Sequence, residues 1–175
     1  MKSLLIFFIL STCCSAACSS QGHDSLFIAS AIQQLENSRD YTLKIADMVD
    51  GDHYGFRPTP EAMSFGEQLR HLSYNLGWLS SSYLSSGGHP INEDDKRLQD
   101  KDSIRVVVAR TYDHAIAVMQ NFDRRNLGDT VKFFAGPMTK MQIINLMSDH
   151  QTHHRGQVLV YLRLCGYTPP RYVGW

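Results

Sequence analysis

Apolar residues recur with steps of three and four in four long stretches of the chain, separated by segments rich in glycine, proline and charged residues. This spacing places one apolar stripe along each helix, and such stripes become buried when helices pack side by side. The pattern predicts helices from about Asp24 to Val49, from Ser64 to just before Ser85, from about Ser103 to Phe122, and from Thr139 to Cys165.

Two of these helices have clear start signals. Ser64 precedes Glu67, and Thr139 precedes Gln142, in the spacing of a capping box, where two side chains satisfy free backbone amides at a helix start. Between the third and fourth helices, residues 131–134 have the composition of a short extended piece, but four residues do not make a sheet. Four helices without alternating strands predict an all-α, four-helix bundle.

The first 21 residues have the layout of a bacterial export signal: Lys2, an apolar run too short to span a bilayer, and then small residues. Cys18 follows Ser15, Ala16 and Ala17, which resembles the lipobox of bacterial lipoproteins and favours Cys18 as a lipidation site. Cys13 is the competing position, and cleavage after Ala17 by an ordinary signal peptidase is the alternative. The domain organisation predicted is an export signal at 1–21 and one bundle domain at 24–175, outside the inner membrane of a bacterium.

Composition narrows the classes of partner. The chain has 175 residues, 43% of them hydrophobic, which is enough for one domain with its own core. Its 17 basic and 17 acidic residues are interspersed and give a net charge of zero, so no basic face for nucleic acid or anionic lipid is predicted. Membrane contact is expected only through a lipid anchor.

Histidines occupy core-facing positions of the fourth helix. His150 and His154 lie one turn apart, close enough for both imidazoles to reach one metal ion. A third ligand must come from another helix, and His71 lies on a polar stripe of the second helix with Gln68, Asn75 and Trp78. The alternative is a hydrogen-bonded core network of histidines without metal. The other histidines are expected at the surface: His23, His53, His89, His114 and His153.

Two motifs resemble the DinB-like family of the DinB/YfiT-like superfamily. They are residues 57–72, which include Pro58, Pro60 and the segment up to His71, and residues 149–157, Asp-His-Gln-Thr-His-His-Arg-Gly-Gln. The resemblance covers the chain from about residue 25. It implies a four-helix bundle, frequently dimeric, that binds a divalent metal, usually zinc or nickel, on His71, His150 and His154. The family name implies no contact with DNA.

Three histidine ligands leave metal positions open, which is typical of catalytic sites. We therefore expect an exported metal-dependent hydrolase or transferase acting on an unidentified small molecule, with metal-bound water or thiolate as the reactive group. Characterised relatives in the superfamily use cytosolic thiols such as bacillithiol or mycothiol, which an exported protein would not meet. A non-catalytic metal-binding or ligand-binding lipoprotein is the alternative. Residues predicted to hydrogen-bond the ligands are Gln68, Asn75, Asp149 and Gln157.

Overall fold

The computed structural model describes residues 4–92 and 94–174, with side chains from residue 22 onward. Its α-helices are α1 (Leu4–Met48), α2 (Phe65–Leu79), α3 (Lys101–Gln120) and α4 (Lys140–Leu164). The predicted all-α bundle is confirmed, and the helix expected to begin near Asp24 is the C-terminal part of α1. The export signal predicted for 1–21 and the lipidation site predicted at Cys18 lie outside the residues whose side chains are described.

The four helices pack around one core. α2 packs against both α3 and α4, and α1 packs against α3 and, over a smaller area, against α4. The apolar stripe of α2 is fully buried from Phe65 to Leu79, whereas Val106 of α3 is exposed. Within the described residues, no helix combines the length and apolarity needed to cross a bilayer.

Both predicted capping boxes are present. The Ser64 hydroxyl accepts a hydrogen bond from the Glu67 amide, and the Glu67 carboxylate accepts one from the Ser64 amide. Thr139 and Gln142 pair in the same way at the start of α4. Because these boxes fix where the two helices begin, they also fix the register of the histidines that the helices carry.

The linker between α3 and α4 contains a β-hairpin, which corrects the expectation that no sheet forms there. β1 (Thr130–Phe133) pairs antiparallel with β2 (Gly136–Thr139). The sequence pattern does not predict the second strand, because Gly136 and Pro137 are residues typical of turns. A two-stranded ribbon accepts Pro137 because both strands are edges, and Gly136 adopts a φ of 121°, which favours glycine.

Aromatic side chains attach this hairpin to the bundle. Phe133 is buried and lies 5.8 Å, between ring centroids, from both Trp78 and Tyr83. Trp78 also faces Phe134 at 6.2 Å. Trp78 therefore packs beneath the hairpin, two turns along α2 from His71.

Candidate metal centre

Three histidines from two helices converge in the bundle. His71 lies near the middle of α2, and His150 and His154 lie one turn apart on α4. One ring nitrogen from each lies within 4.8 Å of the other two, and the ring centroids are 4.4 to 5.2 Å apart. Zinc–imidazole bonds are about 2.0 to 2.1 Å long, so small side-chain rotations would bring all three to one ion.

A hydrogen bond sets the protonated nitrogen of His154. Its Nδ1 lies 2.7 Å from Oε1 of Gln68, a buried amide oxygen that can only accept. Nδ1 therefore carries the proton, and Nε2 keeps its lone pair for a metal. This is the arrangement in which hydrogen-bonded partners orient histidine ligands.

The orientation of the Gln68 amide is itself held by a chain of donors. Its Nε2 donates to Oε1 of Gln157 at 2.7 Å, and Nε2 of Gln157 donates to Nε2 of His153 at 3.0 Å. Because both amide nitrogens are used as donors in this way, Gln157 presents its oxygen to Gln68, and Gln68 presents its oxygen to His154. The exposed His153 thus begins a chain that ends at the ring of His154.

Burial keeps the three imidazoles neutral. It lowers the pKa of His71, and it is the largest cause of lowering the pKa of His150 and of His154 to about 4. Neighbouring histidines lower both values further, while the exposed Asp149 raises that of His150. Near pH 7 the rings are therefore uncharged, as metal ligation requires.

Two buried atoms on the helices that carry the histidines lack a hydrogen-bond partner in the described part of the chain: Nδ1 of His150 on α4 and Oδ1 of Asn75 on α2. A self-sufficient polar network would pair every buried ring nitrogen, because an unsatisfied buried polar atom costs about 1 to 3 kcal/mol. The unpaired Nδ1 of His150 therefore argues against the alternative of a hydrogen-bonded histidine network without metal. The donor set instead fits a divalent metal that accepts nitrogen ligands.

A separate buried network fixes α4 against the other helices. The Arg155 guanidinium donates to the Ser38 hydroxyl, which lies 2.9 Å from the Tyr112 hydroxyl. Tyr112 donates to Oε1 of Gln151 at 2.8 Å, and Nε2 of Gln151 donates to the Leu72 carbonyl at 2.8 Å. Gln151 and Arg155 each follow a site histidine directly, so this network holds the ligand-bearing turns in place.

A cleft of about 510 Å³ opens beside His71. Tyr74 forms part of the cleft wall, whereas Trp78 packs against the β-hairpin. Among the described residues, the group of histidine, cysteine and carboxylate side chains that could hold a metal has three members, with no fourth ligand. The cleft is lined by Arg57, Glu61, Ala62, Met63, Glu67, Arg70, His71, Tyr74 and Lys96.

The structure also shows where the other residues named in the sequence analysis lie. Gln68 contacts a site histidine, Gln157 contacts Gln68, Asn75 has an unpaired oxygen, and Asp149 is exposed. Three histidines expected at the surface are instead half-buried and have partners: His53 with Tyr167, His89 with Tyr74 and Ile91, and His114 with Ser81. The cations of the cleft were missed, because no local pattern shows that residues 95–97 return beside α2.

Comparisons with known proteins agree with this architecture. A family model described as the DinB family matches residues 23–174. The uncharacterized protein YjoA of Bacillus subtilis (strain 168) is 23% identical over 134 residues, which cover 74% of this chain and 85% of YjoA.

Two crystal structures of DinB-like proteins share the fold. That of YjoA superposes with a TM-score of 0.67 at 20% identity, covering 82% of this chain and 96% of YjoA. That of a protein from Bacillus cereus ATCC 10987 has a TM-score of 0.72 at 19% identity, covering 82% of this chain and 95% of its own.

Proposed function

Because this chain belongs to the DinB family, we propose that it binds a divalent metal ion, zinc or nickel, on His71, His150 and His154 and that it is a metal-dependent hydrolase or transferase. The observation that carries the proposal is the convergence of three neutral ring nitrogens within 4.8 Å of one another. Such a ligand set leaves positions for water or substrate.

The protein's own residues prepare the site for the ion. Gln68 keeps the Nε2 lone pair of His154 available, and burial keeps the rings unprotonated. The network from Arg155 to the Leu72 carbonyl holds α4 at a fixed register against α2. A bound divalent metal would supply Lewis acidity, which lowers the pKa of a coordinated water or thiol.

The cleft favours catalysis over storage of metal. A storage or structural site closes its coordination sphere with a fourth protein ligand, and within the described residues the cluster has three. The cleft beside His71 would bring a small molecule up to that ligand. The alternative, a non-catalytic metal binder, is distinguished from an enzyme by cobalt substitution.

We further propose that the protein acts outside the inner membrane, reached through the export signal predicted for residues 1–21. Cytosolic thiols such as bacillithiol would then not be its co-substrate. This location favours activation of water, and hence hydrolysis, over thiol transfer.

Cobalt substitution tests whether the centre is open. Co²⁺ reports its ligands through visible absorption, so azide should change the spectrum of the cobalt protein if a position is exchangeable. The same sample, beside the zinc and nickel forms, would be assayed for hydrolysis of p-nitrophenyl esters and for thiol conjugation. A cobalt spectrum that azide leaves unchanged, together with no turnover, would indicate the non-catalytic binder.

A further inference from the structure

The β-hairpin lies at one end of the bundle, together with the part of α1 nearest the N-terminus. The chain just after α2, the chain just after α3 and the start of α4 meet there, since Tyr83, Asn121 and Lys140 line one groove. α1 joins them because Ser25 lines a second groove with Gln120, the last residue of α3. We call this region the hairpin end, and it comprises residues 22–32, 80–86 and 120–139.

The two most exposed large apolar side chains of the described residues both lie at the hairpin end. Phe134, in the turn between β1 and β2, is 83% exposed, and Leu26 of α1 is 70% exposed. Elsewhere in the described part of the chain, the exposed large apolar side chains range from 40% to 58%. Apolar surface concentrated in one region marks contact with a partner or a membrane.

The exposed ring of Phe134 rests on a fixed support. Its centroid lies 4.4 Å from that of Phe133 and 6.2 Å from that of Trp78. Phe133 is itself buried against Trp78 and Tyr83, so the hairpin cannot easily turn its tip away. A contact made through Phe134 therefore requires little new ordering of the protein.

The chemistry of the hairpin fits the headgroup layer of a lipid bilayer. Residues 130–139, Thr-Val-Lys-Phe-Phe-Ala-Gly-Pro-Met-Thr, contain no carboxylate side chain and one cation, Lys132. Ala135 and Pro137, on either side of Gly136, are exposed near Phe134. A lysine can keep its ammonium among the headgroups while its methylene stem lies along apolar surface, so Lys132 does not oppose insertion of the tip.

The N-terminal segment indicates which surface the hairpin end faces. The predicted lipidation site, Cys18, precedes Ser25 by seven residues, which span at most about 25 Å when fully extended. A chain attached to a bilayer at Cys18 would therefore hold the hairpin end, rather than the opposite end, close to that bilayer. So short a tether gives the bilayer a high effective concentration at the hairpin, and a weak apolar contact then suffices.

We propose that the hairpin end docks on the bilayer to which the N-terminus is attached, with Phe134 and Leu26 inserted into its headgroup layer. The inference rests on the proposed export and on the predicted lipid attachment at Cys18, and it adds a protein surface to the lipid anchor.

This orientation leaves the cleft beside His71 open to water. Its lining includes Arg57 and Met63, which precede α2. α2 begins beside the start of α3, since a Cβ on Gly66 would lie 2.9 Å from the Ile104 side chain. The cleft therefore lies toward the end of the bundle opposite the hairpin, and a dissolved substrate would reach it from the aqueous side.

An added tryptophan locates the membrane contact. Phe134→Trp and Leu164→Trp each place an indole at an exposed apolar position, the first in the hairpin and the second at the C-terminal end of α4. The full chain, purified from an exporting bacterium, is reconstituted with phosphatidylcholine vesicles whose acyl chains do or do not carry bromine. Because bromine quenches at contact distance, we expect quenching beyond that of the parent in Phe134→Trp and none beyond the parent in Leu164→Trp.

Removing the aromatic ring tests whether Phe134 makes the contact. Trp78 is half-buried beneath Phe134, so docking should shield it from iodide in the water. We expect reconstitution to reduce iodide quenching in the parent and in Leu164→Ser, and to leave it unchanged in Phe134→Ser. Leu164→Ser is the matched control, since it removes exposed apolar surface from the opposite end, and circular dichroism verifies that each variant is folded.

Equal lipid quenching in the two tryptophan variants, or shielding of Trp78 that persists in Phe134→Ser, would overturn the inference. Self-association that Phe134→Ser abolishes, without lipid quenching, would assign the hairpin to a second copy and overturn it as well. Mass spectrometry of the same samples tests the attachment separately. Lipid quenching in a chain without acyl groups would support the hairpin contact and refute the anchor at Cys18; acyl groups without lipid quenching would do the reverse.

Discussion

Replacing Gln68 with leucine should weaken metal binding without unfolding the bundle. Gln68 is 3% exposed and supplies the acceptor that fixes Nδ1–H of His154. Leucine has a similar volume and no acceptor, so His154 can adopt either tautomer and loses its orienting partner. Loss of such a partner typically weakens metal affinity by about 10- to 100-fold, or about 1.4 to 2.8 kcal/mol.

Gln68→Glu separates the hydrogen bond from simple packing. A carboxylate accepts from Nδ1–H more strongly than an amide and makes the ring a better ligand. It cannot donate to Gln157, but that amide can rotate to donate in return. We therefore expect zinc affinity in Gln68→Glu to equal or exceed that of the parent.

The assay is competition for zinc with a chromophoric chelator, with urea denaturation to verify folding. Gln33→Leu is the matched control, because Gln33 is exposed on α1 and contacts Asn37 rather than the site. Equal losses of zinc affinity in Gln68→Leu and Gln68→Glu would refute the reasoning, since packing rather than the tautomer would then be responsible. Unchanged affinity in Gln68→Leu would refute it too.

Three further outcomes are expected. In the metal-free protein the pKa values of His150 and His154 are about 4, below the ordinary 6.5, so the unfolded chain binds protons first; the urea midpoint should be constant above about pH 7 and fall progressively toward pH 4. A urea midpoint that rises as the pH is lowered from 7 to 4 would contradict the burial of neutral histidine rings. Gly156→Ala, exposed in α4 with open space around its Cβ, should stabilise by about 0.5 to 1 kcal/mol, whereas Gly66→Ala, whose Cβ would lie 2.9 Å from a neighbouring side chain, should destabilise by about 1 to 3 kcal/mol in thermal unfolding. Labelling with radioactive palmitate in an exporting bacterium should be lost in Cys18→Ala, and labelling that persists would disprove Cys18 as the lipidation site.

The helices and the histidine cluster could be predicted because their signals are local. Capping boxes at Ser64 and Thr139 mark helix starts through contacts three residues apart. The spacing of His150 and His154 places them on one face by helical geometry alone. His71 needed the further assumption that α2 packs on α4, which its apolar stripe supports.

What escaped prediction depends on contacts between distant segments. Tyr112 donates a hydrogen bond to Gln151, 39 residues away, and Arg155 donates one to Ser38, 117 residues away. From the sequence alone, a buried arginine cannot be distinguished from a surface residue, because charged side chains are ordinarily exposed. The cleft likewise forms only when the turn containing Lys96 folds back beside α2.

The most direct test of the metal centre is the metal content of the chain purified without a histidine tag, measured by elemental mass spectrometry. His154→Ala is compared with His23→Ala, which alters an exposed histidine on α1 outside the site. We expect about one equivalent of divalent metal in the parent and in His23→Ala, and none in His154→Ala. A folded parent that holds no metal even after loading with zinc or nickel would contradict the account and leave the buried histidines with a structural role.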